Sequence, residues 1–131
     1  MMDAKIYGFG LVVEDIPRSL EFYRHVGLDI PAEADKEPHV QVTLPGGIHL
    51  IWDSADTIRS FQPDWREPTG GHRVAIAFAC PDPAGVDAAY ARLTGLGHQG
   101  LKEPWDAVWQ QRYAIVLDPD GNHVELFAPL G

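Results

Sequence analysis

The chain has 131 residues, the size of one compact domain, and can bury about two-thirds of its unfolded surface without staples. Its net charge of −9 argues against a phosphate-backbone partner, which needs clustered Lys and Arg. The single Cys80 excludes a disulfide framework, and the lack of a long apolar run or a charged-then-apolar leader predicts a cytoplasmic protein with neither nucleic acid nor membrane as partner.

The first strand is predicted over Ile6 to Val13, with Phe9, Leu11 and Val13 on one face and Gly8 and Gly10 on the other. Asp15 is a good N-cap and Pro17 suits a first helical turn. Leu20, Phe22, Tyr23 and Val26 then supply an apolar helical face, and Gly27 stops the helix. Val40 to Leu44, Pro45-Gly46-Gly47 and Ile48 to Trp52 read as a hairpin. Asp53 to His72 contains Pro63, Trp65, Pro68 and Gly70-Gly71 with little periodicity, and reads as a linker or lid. A strand over Val74 to Cys80 follows, then a helix capped by Asp82 with Pro83 at its start and running to about Leu96. Short strands at His98 to Leu101, Gln110 to Leu117 and His123 to Phe127 complete the chain, the last two joined by Asp118-Pro119-Asp120-Gly121.

The opening unit recurs. Asp15 and Asp82 are 67 residues apart, and so are Tyr23 and Tyr90. A strand-turn-helix unit repeated at a fixed offset implies two copies of one module around a shared cleft. Each half is expected to be strand, helix, then three strands, giving an α+β domain over 1–131. Its modules would cover about 5–53 and 73–128, with a lid at about 54–72.

The stretch Leu11-Val12-Val13-Glu14-Asp15 with Ser19-Leu20-Glu21-Phe22-Tyr23, and Leu117 to Phe127 with its Asp-Pro-Asp-Gly-Asn turn, resemble the vicinal oxygen chelate superfamily. This is the group of glyoxalases, bleomycin-resistance proteins and extradiol dioxygenases. The resemblance spans nearly the whole chain and implies two βαβββ modules forming a half-open curved sheet or barrel, assembled as a homodimer. It does not fix the reaction, because function sits in sites grafted on folds.

Enzymes of that group hold a divalent metal on the first and last strands of each half. Carried over by resemblance, those positions fall on Gly8, Ala75, Glu125 and a fourth at or beside Ile51. Gly and Ala offer no donor, whereas a stable site wants three or four N, O or S ligands at about 2 Å. His49, two residues before Ile51, is the best remaining candidate. His72 is out of register and ends the lid, and His123 sits beside the turn and reads as solvated. The metal centre is therefore expected to be absent.

The same alternation floors the cleft with Gly8, Gly10, Ala75, Ala77 and Ala79. Gly in a strand interior marks close approach of a ligand or another chain. Trp52, Trp105, Trp109 and Tyr113 would wall the cavity, and Glu125 would anchor a cationic or hydrogen-bond-donating ligand. No firm catalytic residue emerges, although Glu125 could act as a base. Cys80 faces the helix and reads as an inert thiol. The expected function is metal-independent sequestration of an aromatic or amphipathic small molecule, of the bleomycin-resistance and hence antibiotic-resistance type, with no cofactor. Two alternatives stand beside it. One is a metal-dependent lyase or dioxygenase using His49 and Glu125, and the other is a non-catalytic dimer whose cleft its own lid fills.

Overall fold

The computed structural model describes residues 3–131 and divides the chain into two compact units. The first comprises the residues up to Glu21 together with Asp29–Pro68. It contains β1 (Gly8–Val13), the start of α1 (Ile16–Val26), β2 (His39–Thr43), β3 (His49–Ser54) and α2 (Ala55–Phe61). The sheet order is β1-β3-β2, with β1 parallel and β2 antiparallel to β3. A parallel pair needs a crossover, which α1 begins. The backbone N–H of Arg18 donates to the Asp15 carboxylate at 3.1 Å, so Asp15 caps α1 as its residue type predicts. Gly46 and Gly47, at φ 95° and 91°, supply the left-handed turn of the β2–β3 hairpin. Val13, Leu20, Val40, Leu50 and Trp52 form the buried core of this unit. Burying each such side chain contributes about 1.5–3 kcal/mol.

Two details of this half differ from the sequence pattern. No third strand follows its helix: between α1 and β2 lies a 3-10 turn, Ala32–Lys36. Pro31 and Pro38 bracket four charged residues there, and nothing β-branched is present to hold a ladder. The unit is βαββ followed by a helix, not βαβββ. The predicted lid is also partly regular. The Ser54 hydroxyl accepts the Thr57 N–H at 3.1 Å and starts α2, which packs on β3 and β1.

The second unit comprises Phe22–Leu28 and Thr69–Gly131. It contains β4 (Ala75–Ala79), α3 (Pro83–Gly95), β5 (Gln99–Ala107), β6 (Gln111–Leu117) and β7 (His123–Pro129). The order is β4-β7-β6-β5, with β4 and β7 parallel and the rest antiparallel. This half is a full βαβββ module. Asp82 caps α3, its carboxylate accepting the Gly85 N–H at 2.7 Å, and Pro83 opens the first turn. α3 lies on β5, β6 and β7, and Phe22, Tyr23, Val86, Leu93, Val116, Val124 and Leu126 fill the core. β5 is longer than the four residues expected, running on through Pro104 and Trp105. It is an edge strand whose register shifts between Gly100 and Lys102 and again between Lys102 and Trp105, which is how a strand accommodates proline.

The two parallel pairs obey the same register. Gly8 stands opposite His49 and Gly10 opposite Ile51; Ala75 stands opposite His123 and Ala77 opposite Glu125. Ile51 is thus the first-unit counterpart of Glu125. Among the described residues, no helix is long and apolar enough to cross a membrane.

Candidate ligand-binding site

In the second unit, Val124, Leu126 and Ala128 of β7 and Ala114 and Val116 of β6 are buried on the α3 side. The alternate residues His123, Glu125, Phe127, Tyr113 and Ile115 therefore share the opposite, open face. Cross-strand register arranges that face in rows. One row is Ala77, Glu125 and Ile115, and the next is Ala79, Phe127, Tyr113 and Trp105. Ala77 and Ala79 are exposed, so nothing larger than a methyl group stands beside Glu125 on its β4 side.

Glu125 is held from its β6 side. The Tyr113 hydroxyl donates to its Oε1, and Oε2 has no protein partner among the described residues. The Tyr113 phenol is pushed up to about 12, first by burial and then by the hydrogen bond and charge of Glu125, so it stays protonated and donates at neutral pH. Around this pair the rings of Trp105, Trp109 and Tyr113 meet edge to face. Their centroids lie 6.0, 5.5 and 5.3 Å apart at interplanar angles of 89°, 68° and 83°. Phe127 stacks on Tyr113 at 6.2 Å. The three mutually steep planes form a corner. The Lys102 ammonium stands 4.7 Å from the Trp105 centroid, so one indole face already holds a cation. Trp109, 53% exposed, is oriented by a 3.0 Å hydrogen bond from its indole N–H to Gln111.

His123 follows the same alternation but is not simply solvated, as its place beside the turn suggested. Its ring stacks on His72 with centroids 3.4 Å apart, and its Nδ1 is buried with no partner among the described residues. Burial first, then the neighbouring His72, lowers its pKa; Glu125 pulls the other way. Ala75 is half-buried opposite His123.

In the first unit, Leu50 and Trp52 alternate inward while His49, Ile51 and Asp53 take the other face. Trp52 is fully buried in the core, so the expectation that it walls a ligand cavity is wrong. Gly8 is explained by packing rather than by a ligand: a Cβ there would lie 2.3 Å from the His49 carbonyl oxygen. Gly10 has open space where a Cβ would stand. His49 sits in a polar cluster, its ring stacked on Tyr7 at 4.1 Å and its Nδ1 3.1 Å from the Thr43 hydroxyl. Gln41 donates to the Tyr7 hydroxyl, and His39 pairs with Asp53 at 2.6 Å.

Of the residues picked from sequence, the second sheet brings Ala77, Trp105, Trp109, Tyr113 and Glu125 together. Lys102 and Phe127 were missed, although the alternation that found Tyr113 and Glu125 also points to Phe127. Lys102 carries no such signal, because bulges break the parity of β5. The donor set does not fit the metal that the resemblance implies. Gly8 and Ala75 supply no donor atom, and no group of three or more His, Cys, Asp or Glu is placed to hold an ion among the described residues.

Similarity to known proteins agrees with this architecture. Residues 5–126 match the Glyoxalase/Bleomycin resistance protein/Dioxygenase superfamily. A glyoxalase/bleomycin resistance protein/dioxygenase family enzyme from Burkholderia phytofirmans superposes with a TM-score of 0.81 at 19% identity, covering 97% of this chain and 100% of that one; this likeness bears on the fold alone. A glyoxalase/bleomycin resistance protein/dioxygenase from Nocardioides gives 0.74 at 27% identity, covering 99% and 86%. An uncharacterised protein of Mycobacterium bovis is 27% identical over 125 residues, 92% of this chain and 80% of its own length. With a register-matched repeat, an Asp-Pro-Asp-Gly-Asn turn and this match over nearly its full length, the chain belongs to the glyoxalase/bleomycin resistance protein/dioxygenase superfamily.

Proposed function

We propose that the open face of the second sheet binds a small planar or amphipathic cation without a metal, and that the protein sequesters such a compound in the manner of a bleomycin-resistance protein. The observation that carries this reading is the corner of Trp105, Trp109 and Tyr113 beside Glu125, with the Lys102 ammonium seated on Trp105. A cation on an aromatic face contributes about 0.5–2 kcal/mol, more as water is excluded. The free Oε2 of Glu125 supplies the second attraction, and the alanines of β4 leave room for a flat body. Ala77, Ala79 and Glu125 form the floor, and the aromatic corner forms one wall.

We also propose that the protein works in the cytoplasm as a homodimer. Support for the dimer comes from the edge strands. Phe9 on β1 is 51% exposed, and Val74, immediately before β4, is 71% exposed. Unpaired strand edges carrying large apolar side chains are ordinarily covered.

Tryptophan fluorescence, titrated with planar cations such as proflavine and with planar anions of similar size, tests the binding reading. Saturable quenching by the cations, weakened in Glu125→Gln, is the expected result. A flat response to all cations, or equal quenching by the anions, would defeat it. A stoichiometric, stabilising Zn, Ni, Mn or Fe(II) would favour the enzymatic alternative instead.

A further inference from the structure

The second sheet has a cavity on its other side. It lies between the last turn of α1, the end of β4 and α3, with a volume of about 250 Å³. Phe78, Leu93 and Leu126 are the largest apolar residues of its lining, and His25, Arg92 and Cys80 are the lining residues with polar or ionisable side chains. Leu126 is the neighbour of Glu125 on β7, so strand alternation puts the two compartments on opposite faces of one sheet.

Its charge is the reverse of the protein's. In a chain with 19 acidic and 10 basic residues, the cavity lining contains an arginine and a histidine and no carboxylate. Arg92 is also positioned. Its Nη1 donates to the His25 carbonyl at 3.1 Å, which holds the guanidinium beside α1 and leaves its other N–H donors without a protein acceptor among the described residues. His25 is fixed in turn, with Nδ1 2.8 Å from Nε2 of His98, so its Nε2 is the ring nitrogen left over. An arginine whose remaining donors form a planar fork suits a carboxylate, which takes two parallel N–H···O bonds.

We propose that this cavity binds a small apolar carboxylate, its hydrocarbon body among Phe78, Leu93 and Leu126 and its carboxylate on Arg92, with Nε2 of His25 as a second donor in the tautomer whose Nδ1 accepts the His98 Nε2–H. At about 30 Å³ per water-sized group the space takes roughly eight such groups, which suits a short fatty acid or a simple aryl acid. The cavity uses none of Trp105, Trp109, Tyr113 and Glu125, and Ala79 of β4 is the one residue that borders both sites.

Cys80, the chain's one cysteine, lines the cavity and serves as the reporter. Burial raises its pKa, so iodoacetamide labelling is run at mildly alkaline pH and followed by intact mass. Hexanoate, hexanol and hexylamine are compared as protectants. Hexanoate is expected to slow labelling by about five-fold once its concentration exceeds its dissociation constant about four-fold, while hexylamine leaves the rate unchanged. Arg92→Gln, a substitution at an exposed side chain, is expected to abolish the protection. The methyl NMR signals of Leu93 and Leu126 should shift with hexanoate in the wild type and not in Arg92→Gln. Equal protection by all three probes, protection that survives Arg92→Gln, or neither protection nor methyl shifts with hexanoate would each overturn the assignment.

Discussion

The phenol of Tyr23, near the end of α1, donates to Oδ2 of Asp118 at 2.7 Å, 95 residues further along the chain, and both groups are buried. The same carboxylate accepts the backbone N–H groups of Asp120 and Asn122 at 3.0 and 2.8 Å and the Asn122 side-chain amide at 2.8 Å. The Asp-Pro-Asp-Gly-Asn segment is therefore a turn built on one buried anion, with Gly121 at φ 84° completing it. Tyr23→Phe removes one donor from that anion and is expected to cost about 1–3 kcal/mol in urea unfolding.

The pH dependence of this bond has a definite sign. Burial first, and then Asp118, push the Tyr23 phenol far above its ordinary value. The folded state therefore keeps a proton that the unfolded chain releases above about pH 10. Stability is fully present below that pH and declines as pH rises beyond it. Urea midpoints measured from neutrality up to strongly alkaline pH should fall in the wild type at the alkaline end, and fall less steeply in Tyr23→Phe.

Gly8 and Gly10 should respond oppositely to the same change. A methyl group at Gly8 meets the His49 carbonyl, a backbone atom that moves only if the β1–β3 pairing moves. Gly8→Ala should lose about 1–3 kcal/mol in urea unfolding, the usual cost of overpacking. Gly10→Ala meets open space and should stay within about 0.5 kcal/mol of wild type.

Lys102 gives the aromatic corner a counter-intuitive test. Its ammonium occupies a face of Trp105 that an incoming cation would use. Lys102→Met should strengthen binding of a planar cation, whereas Trp105→Ala should weaken it by about two- to thirty-fold, the span of a cation–π contact. Fluorescence titration with proflavine reads both, and weaker binding in Lys102→Met would place the cation elsewhere.

The His72–His123 stack predicts an imidazole that resists protonation. Two-dimensional NMR titration should give His123 a midpoint below the ordinary value of about 6.5. His72→Ala removes a lowering influence, so the midpoint should move up. For a histidine lowered in the folded state, the associated stability is present above the unfolded value and is lost as pH falls through the folded one.

The sequence made the repeat, α1, α3 and the open face of β7 legible because each rests on a strong period or on chemically marked ends: Asp15 and Asp82 as caps, Gly27 as a stop, and strict alternation through Glu125. Four features were not legible. α2 has seven residues, too few for a helical period to show, and its signal is the single Ser54 cap. The 3-10 turn replaced an expected strand because the repeat implied one there, while Pro31, Pro38 and the intervening charges argued locally against it. Trp52 ends a strand, and parity counted from Leu50 puts it in the core. The cavity beside Arg92 escaped for a different reason: its lining comes from α1, β4, α3 and β7, and no local pattern in the chain joins them.

Because successive side chains of β7 point to opposite sides, the Asp118 carboxylate has a reach beyond its own turn. By fixing the residue at which β7 begins, it sets whether position 125 or position 126 looks out over the alanines of β4. Lengthening that loop by a single residue would trade the two linings wholesale, exposing leucine where a carboxylate now waits and pressing glutamate against the oily underside. Counting along one strand is thus what keeps an acid-lined compartment and a base-lined compartment apart in so small a protein.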